Sequence, residues 1–277
     1  MSNLKNRSIG LALSGGGVKG LAHIALLKVL DELSIRPTLI VGTSMGAIIG
    51  SLYAAGLSGN DIESRVQDHL FPAGEKPKVW FAKRKKLMKW LKVFRFDTSR
   101  GGFVDAEGLF EHLFYELNHK QFSQLHTPFK ALACDFDTGQ ELVLNDGDLL
   151  SAVKASMAVP GVFAPVQRGD KLLIDGGTVN NMPCDHIHSC DFRIASDVMS
   201  LSRRNNPNTT QVVAGALNII LHHNNQQQLK HYPPQLTFKP DTAGIDAFDF
   251  HKIGDVLKRG EAASETFRLQ IQQLLEK

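Results

Sequence analysis

Apolar residues along the chain fall into two rhythms. Residues 8–13 form a short, almost wholly apolar run, the mark of a strand covered on both faces. Between 21 and 33, Leu21, Ile24, Ala25, Leu27 and Leu30 recur at helical spacing. Pro37 interrupts, and 38–41 reads as a second strand ending at Gly42. Residues 47–55 are a small-residue helix suited to close packing on a sheet, with Gly56 closing it. Strand, helix, strand, helix in so few residues predicts a parallel sheet with helices on its faces. The same rhythms predict strands at 129–134, 141–144, 171–174 and 192–195, and helices at 106–117, 149–157, 210–224 and 255–275. The expected fold class is α/β, three-layer α/β/α with a central, mostly parallel sheet. There is no internal repeat, and residues 203–210 are polar and Pro-containing, as in a surface loop. No linker divides the chain, so a single domain over residues 1–277 is expected, with 71–102 as an insertion.

Composition changes this picture little, since 43% hydrophobic and 21% charged residues suit an ordinary globular protein. The placement of charge says more. The chain carries a net +3, yet residues 71–102 hold ten Lys/Arg against Glu75 and Asp97, leaving the remainder net negative. Within that segment Trp80, Phe81, Leu87, Met88, Leu91 and Phe94 fit one helical face, with Lys83, Lys85, Lys86, Lys89 and Lys92 filling much of the rest. Such a helix suits peripheral contact with an anionic membrane surface, or a lid over an apolar substrate route. A solvated charge run over a core-facing stripe is the plain alternative. Nucleic acid is not expected as a partner, because the basic stretch is single and lacks a recognisable module. Three cysteines, Cys134, Cys184 and Cys190, imply no disulfide framework. No apolar run reaches signal-peptide or membrane-spanning length, so a cytoplasmic location is expected, with contact at the inner membrane face left open. Oligomeric state leaves no trace in the sequence.

Chemistry concentrates in two strings that each follow a strand and precede a helix. Gly15-Gly16-Gly17-Val18-Lys19-Gly20 satisfies a dinucleotide-loop spacing. That reading needs an acid at the end of the second strand, where the chain has Val41-Gly42-Thr43-Ser44. A Walker loop is excluded because glycine follows Lys19. What remains is a loop of bare N–H groups at a helix start, suited to an oxyanion. The second string, Gly42-Thr43-Ser44-Met45-Gly46, places a serine on a tight strand-to-helix corner, the arrangement that exposes a nucleophilic hydroxyl.

A serine needs a base within reach. Of the histidines, His23 falls inside the first helix, His222 and His223 lie on a helical face, and His231 and His251 sit in polar contexts. Asp175-Gly176-Gly177 instead follows the apolar strand Leu172-Leu173-Ile174, and partial burial would raise that carboxyl into a useful range. Taken alone, Asp-Gly-Gly is simply a turn.

In combination these three motifs resemble the patatin-like phospholipase family. The similarity extends to Cys134-Asp135-Phe136-Asp137-Thr138-Gly139, to the segment from Ala155 to Pro165 and to Asn180-Asn181-Met182-Pro183, and covers most of residues 8–200. It implies a patatin-like fold, related to the cytosolic phospholipase A2 catalytic domain, and a Ser–Asp dyad of Ser44 and Asp175 acting through an acyl-enzyme. It also implies an oxyanion loop of Gly15, Gly16, Gly17 and the Val18 N–H, and neither metal nor cofactor. Lys19 stands where the family carries Arg or Lys, while Met45 departs from the commoner alanine and narrows the space beside the serine. The implied activity is lipid acyl hydrolysis, of phospholipase A, lysophospholipase or carboxylesterase type, on a phospholipid or other acyl ester. An acyltransferase or thioesterase on the same dyad, or a catalytically weak membrane-surface regulatory module, stays open. Cys184, His186, His188 and Cys190 form a zinc-like pattern, but its spacing differs from the paired arrangement of structural sites and no metal is expected there.

Overall fold

A computed structural model describes residues 7–70, 121–201, 206–207 and 209–275. The expected helix at 106–117 and the basic segment 71–102 lie outside these residues. β1 (Ile9–Leu13), β2 (Leu39–Thr43) and β3 (Phe129–Asp135) form where the apolar runs predict them and pair in parallel, with β2 in the middle. β4 (Glu141–Leu144) and β6 (Lys171–Asp175) both pair β3 antiparallel, and β5 (Val166–Arg168) pairs β6. β7 (Phe192–Ser196) and β8 (Leu236–Phe238) extend the parallel half beyond β1. The sheet thus runs β5-β6-β3-β2-β1-β7-β8, with β4 beside β3. It is mixed: parallel pairings are the majority, and the antiparallel minority gathers at β3 and β6.

Six α-helices cover it among the described residues: α1 (His23–Glu32), α2 (Met45–Ala54), α3 (Gly59–Leu70), α4 (Leu149–Ser156), α5 (Thr209–His231) and α6 (Ile253–Leu275). Alternation along the strands divides the core between the two faces. Ile9, Leu11 and Leu13 of β1, with Ile40, Phe129 and Ile194, face the larger core formed with α1, α2, α3, α4 and α6. Ala12, Val41, Leu132 and Ala195 face the other way, under Met182, Cys184 and Ile187, with Leu229 of α5 and Tyr232 beside them. Leu11, Leu13 and Ile40 are wholly buried, and each such side chain contributes about 1.5–3 kcal/mol.

The register around β3 decides where the site falls. β2 lies against β3 up to Thr43 opposite Leu132, and β6 lies against it from Asp175 opposite Ala133. β4 pairs Ala131 to Cys134 and so occupies the opposite edge. β2 and β6 therefore share one edge of β3 and run toward each other, so that their C-terminal ends meet. Ser44 and Asp175 are brought together by this head-on meeting.

Candidate active site

Thr43 ends β2 and Met45 begins α2, so Ser44 alone makes the corner, at φ 54° and ψ −122°. This backbone is strained for a residue with a side chain, and it turns the hydroxyl out of the corner. Ser156, at the end of α4, accepts the Ser44 N–H on its Oγ at 3.0 Å. Thr43 Oγ1 donates to the Asn180 carbonyl at 3.0 Å, tying the corner to the loop after Asp175. Gly46 allows α2 to start directly against β1, because a Cβ there would overlap the Leu13 carbonyl oxygen. Met45 lies against Gly20 of the glycine loop.

Asp175 caps the turn Gly176–Thr178, its Oδ1 accepting the Gly177 N–H at 2.6 Å. Burial raises the carboxyl to about 6, opposed by the Ser44 hydroxyl and the Gly177 amide. Oδ2 is buried without a well-formed partner, although the Ser44 hydroxyl still acts on the carboxyl as a donor. The two groups stand close but imperfectly aligned.

The glycine loop leaves β1 next to this pair. A Cβ on Gly15 would sit 3.1 Å from the Ser44 Cβ. The four amides predicted for the oxyanion are not equivalent. Gly15 donates its N–H to the Asn181 carbonyl at 3.1 Å, and Val18 donates to the Ala247 carbonyl at 2.8 Å. Gly16 and Gly17 make no amide hydrogen bond among the described residues. Gly17 has φ +58°, and a Cβ there would overlap Ala247, so only glycine lets the chain turn under that loop. The loop then winds through the short 3-10 turn Gly17–Ala22, which is why α1 begins at His23 rather than at Leu21. Lys19 is buried, with its Nζ donating to Asn218 Oδ1 of α5 at 3.0 Å.

Several of the described histidines have partners of their own. Burial holds His23 down to about 4, so it is neutral; its Nε2 donates to the Ser14 carbonyl at 2.9 Å and its Nδ1 accepts from Ser196 Oγ at 2.6 Å. His222 and His223 meet edge to face on α5, His222 Nδ1 being buried without a hydrogen-bond partner among the described residues, and His231 bonds the Gln227 carbonyl. Within the zinc-like pattern, Cys184 is part of the smaller core and His188 packs edge-on to Tyr232. His186 pairs with Glu141 at 2.5 Å and with Asp185 at 3.4 Å. Among the described residues, Glu141, Asp185 and His186 are the one trio of such groups gathered within 4.8 Å. Asn180 Nδ2 donates to both carboxylates of that trio, so it forms a bonded network.

Three residues around the site escaped the sequence reading. Ser156 and Asn181 fall in segments that resemble the family but carry no motif of their own. Asn225 belongs to a polar run in α5 whose only signal was its break with the apolar residues before it.

The model of the patatin-like phospholipase family matches residues 11–187, a span that contains the glycine loop, Ser44 and Asp175. The uncharacterized NTE family protein Rv2565 of Mycobacterium tuberculosis is 31% identical over 186 residues, covering 66% of this chain and 28% of the relative. The lysophospholipase nte1 of Aspergillus fumigatus is 25% identical over 291 residues, covering 95% of this chain and 18% of the relative. The chain spans less than a third of the length of either relative. Among solved structures, VipD from Legionella pneumophila matches with a TM-score of 0.51 at 14% identity, over 95% of this chain and 66% of that one, a likeness of fold alone. The matched span covers more than half of the chain and contains the glycine loop, the Ser44 corner and the turn after β6, and the chain belongs to the patatin-like phospholipase family.

Proposed function

We propose that this chain is a lipid acyl hydrolase in which Ser44 is the nucleophile and Asp175 its base. The observation that carries this reading is a buried carboxyl raised to about 6, facing the hydroxyl of a strained corner serine. At that value Asp175 is ionised at neutral pH yet more basic than an ordinary carboxylate. Ser44 Oγ attacks the ester carbonyl carbon while Asp175 takes its proton. The resulting oxyanion accepts hydrogen bonds from the uncommitted amides of Gly16 and Gly17, two of the four expected donors. Collapse expels the alcohol, which recovers the proton from Asp175 and leaves the acyl group on Ser44. Water, deprotonated by Asp175, then releases the fatty acid and restores the serine. The lysophospholipase relative supports a lipid ester as substrate, and the basic segment 71–102 supports peripheral contact with anionic lipid.

Ser44→Ala and Asp175→Asn are each expected to abolish hydrolysis of a short p-nitrophenyl ester. A fluorophosphonate probe should label the wild type at Ser44 and leave Ser44→Ala unlabelled. Hydrolysis retained in either variant would overturn the dyad.

A further inference from the structure

Asn181 occupies the gap between the two halves of the site. Its carbonyl accepts the Gly15 N–H at 3.1 Å. A Cβ on Gly15 would overlap its side-chain Oδ1, and a Cβ on Gly177 would be 2.9 Å both from that oxygen and from Asp175 Oδ1. Asn181 is thus wedged between the glycine loop and the turn that holds Asp175.

The direction in which its amide points is fixed from a distance. Asp197 is fully buried, and its Oδ1 accepts from Asn225 Nδ2 at 2.6 Å and from the Met199 N–H at 3.1 Å. Its Oδ2 faces Gln226 Nε2 and Lys239 Nζ, each at 3.3 Å. An ionised carboxylate only accepts, so Asn225 must turn its NH2 toward Asp197 and present its oxygen on the other side. Asn181 Nδ2 donates to that oxygen at 2.9 Å, which leaves Asn181 Oδ1 facing Gly15 and Gly177. Asn224 completes the clamp, its Oδ1 accepting the Asn181 N–H at 2.9 Å and its Nδ2 donating to the Val179 carbonyl at 3.0 Å. The chain of amides therefore has one polarity, imposed by a buried charge at its far end.

We propose that Asn181, oriented by Asn225 and through it by Asp197, is a positioning residue that sets the spacing between the glycine loop and the Asp175 turn. It touches no substrate and acts through the geometry of the groups that do. The proposal rests on the hydrolase reading above.

The test begins with the wild type: no hydrolysis of p-nitrophenyl butyrate and no fluorophosphonate labelling would defeat the hydrolase reading itself, and the proposal with it. In an active wild type, Asn225→Leu removes the acceptor that Asn181 Nδ2 needs. It is expected to lower kcat by ~10-fold or more with KM within ~2-fold, because misplacement by a fraction of an ångström acts on the reacting geometry and not on binding. Asn225→Asp keeps an oxygen that can accept from Asn181 Nδ2 and is expected to recover part of the lost kcat. A wild-type kcat in Asn225→Leu, or an equal loss in Asn225→Asp, would overturn the proposal while leaving the dyad intact. If Asn225→Leu fails to fold, Asn181→Ala is read in the same way: a kcat loss at unchanged KM supports the positioning role, and an unchanged kcat ends it.

Discussion

Burial lifts the Asp175 carboxyl from 3.8 to about 6, and the shift bears on both rate and stability. For rate, the base of the proposed mechanism is protonated below that value, so kcat/KM is expected to fall on the acid side with an apparent pKa near 6. For stability, the folded protein keeps this proton up to about pH 6, whereas the unfolded chain releases it near 3.8. Between those values the native state binds more protons, so stability falls as pH rises through the window, and at pH 7 the buried carboxylate costs on the order of 3 kcal/mol. His23 has the opposite sign. Held down to about 4, it supports the fold above its unfolded value of 6.5 and loses that support as pH falls. The two windows overlap and oppose, so the pH profile of the wild type alone hides both. Asp175→Asn separates them, since His23 is common to both proteins. The variant is expected to unfold at a higher urea concentration at pH 7 and to lose that advantage toward pH 4; equal midpoints at pH 7 would contradict the cost assigned to Asp175.

At the scale of elements, the corner at Ser44 is held by α4 as much as by its own strand and helix. Ser156→Ala would leave the Ser44 N–H buried without its acceptor, at a cost of about 1–3 kcal/mol. A lower urea midpoint together with slower fluorophosphonate labelling is expected, and unchanged values for both would show that the corner holds itself. Most of the elements near this corner were legible. Apolar runs marked β1, β2, β3, β4, β6 and β7, and glycine strings marked the turns between strand and helix. Direction was not legible, because the apolar run Leu172-Leu173-Ile174 reads the same in a parallel or an antiparallel strand. β5 and β8 have three residues each, too few to show alternation. α3 buries Ile62 and Val66 as its anchors, a single turn apart within an otherwise polar stretch. α5 runs on to His231, past the expected end at Asn224, because its asparagines and glutamines bond the loops of the site instead of ending the helix. The pairing of Ser44 with Asp175 was readable only through the family's motifs. That Gly15 and Val18 spend their amides on Asn181 and Ala247 depends on partners far away in sequence, which no local pattern reports.

Over the whole molecule, charge is divided between residues 71–102 and the rest of the chain. No helix among the described residues is long and apolar enough to cross a membrane. Co-sedimentation with vesicles is therefore expected to rise with the fraction of anionic lipid and to weaken as salt shortens the reach of charge. Binding indifferent to lipid charge would remove the peripheral contact from the proposed function. The head-on meeting of β2 and β6 along β3 has a consequence of another kind. β6 touches β3 through three residue pairs only, backed by the Phe136 N–H on the Leu172 carbonyl, the Asp175 N–H on the Ala158 carbonyl and the Lys171–Asp135 ion pair. Sliding that short strand by one position would turn Asp175 to the far face of the sheet and bring Ile174 opposite Ser44, while taking from the large core only Leu173, its one wholly buried member on β6. Such a molecule would be compact, helical and inert. Turnover by the proposed dyad would thus report strand alignment, a property to which bulk measures of folding respond weakly.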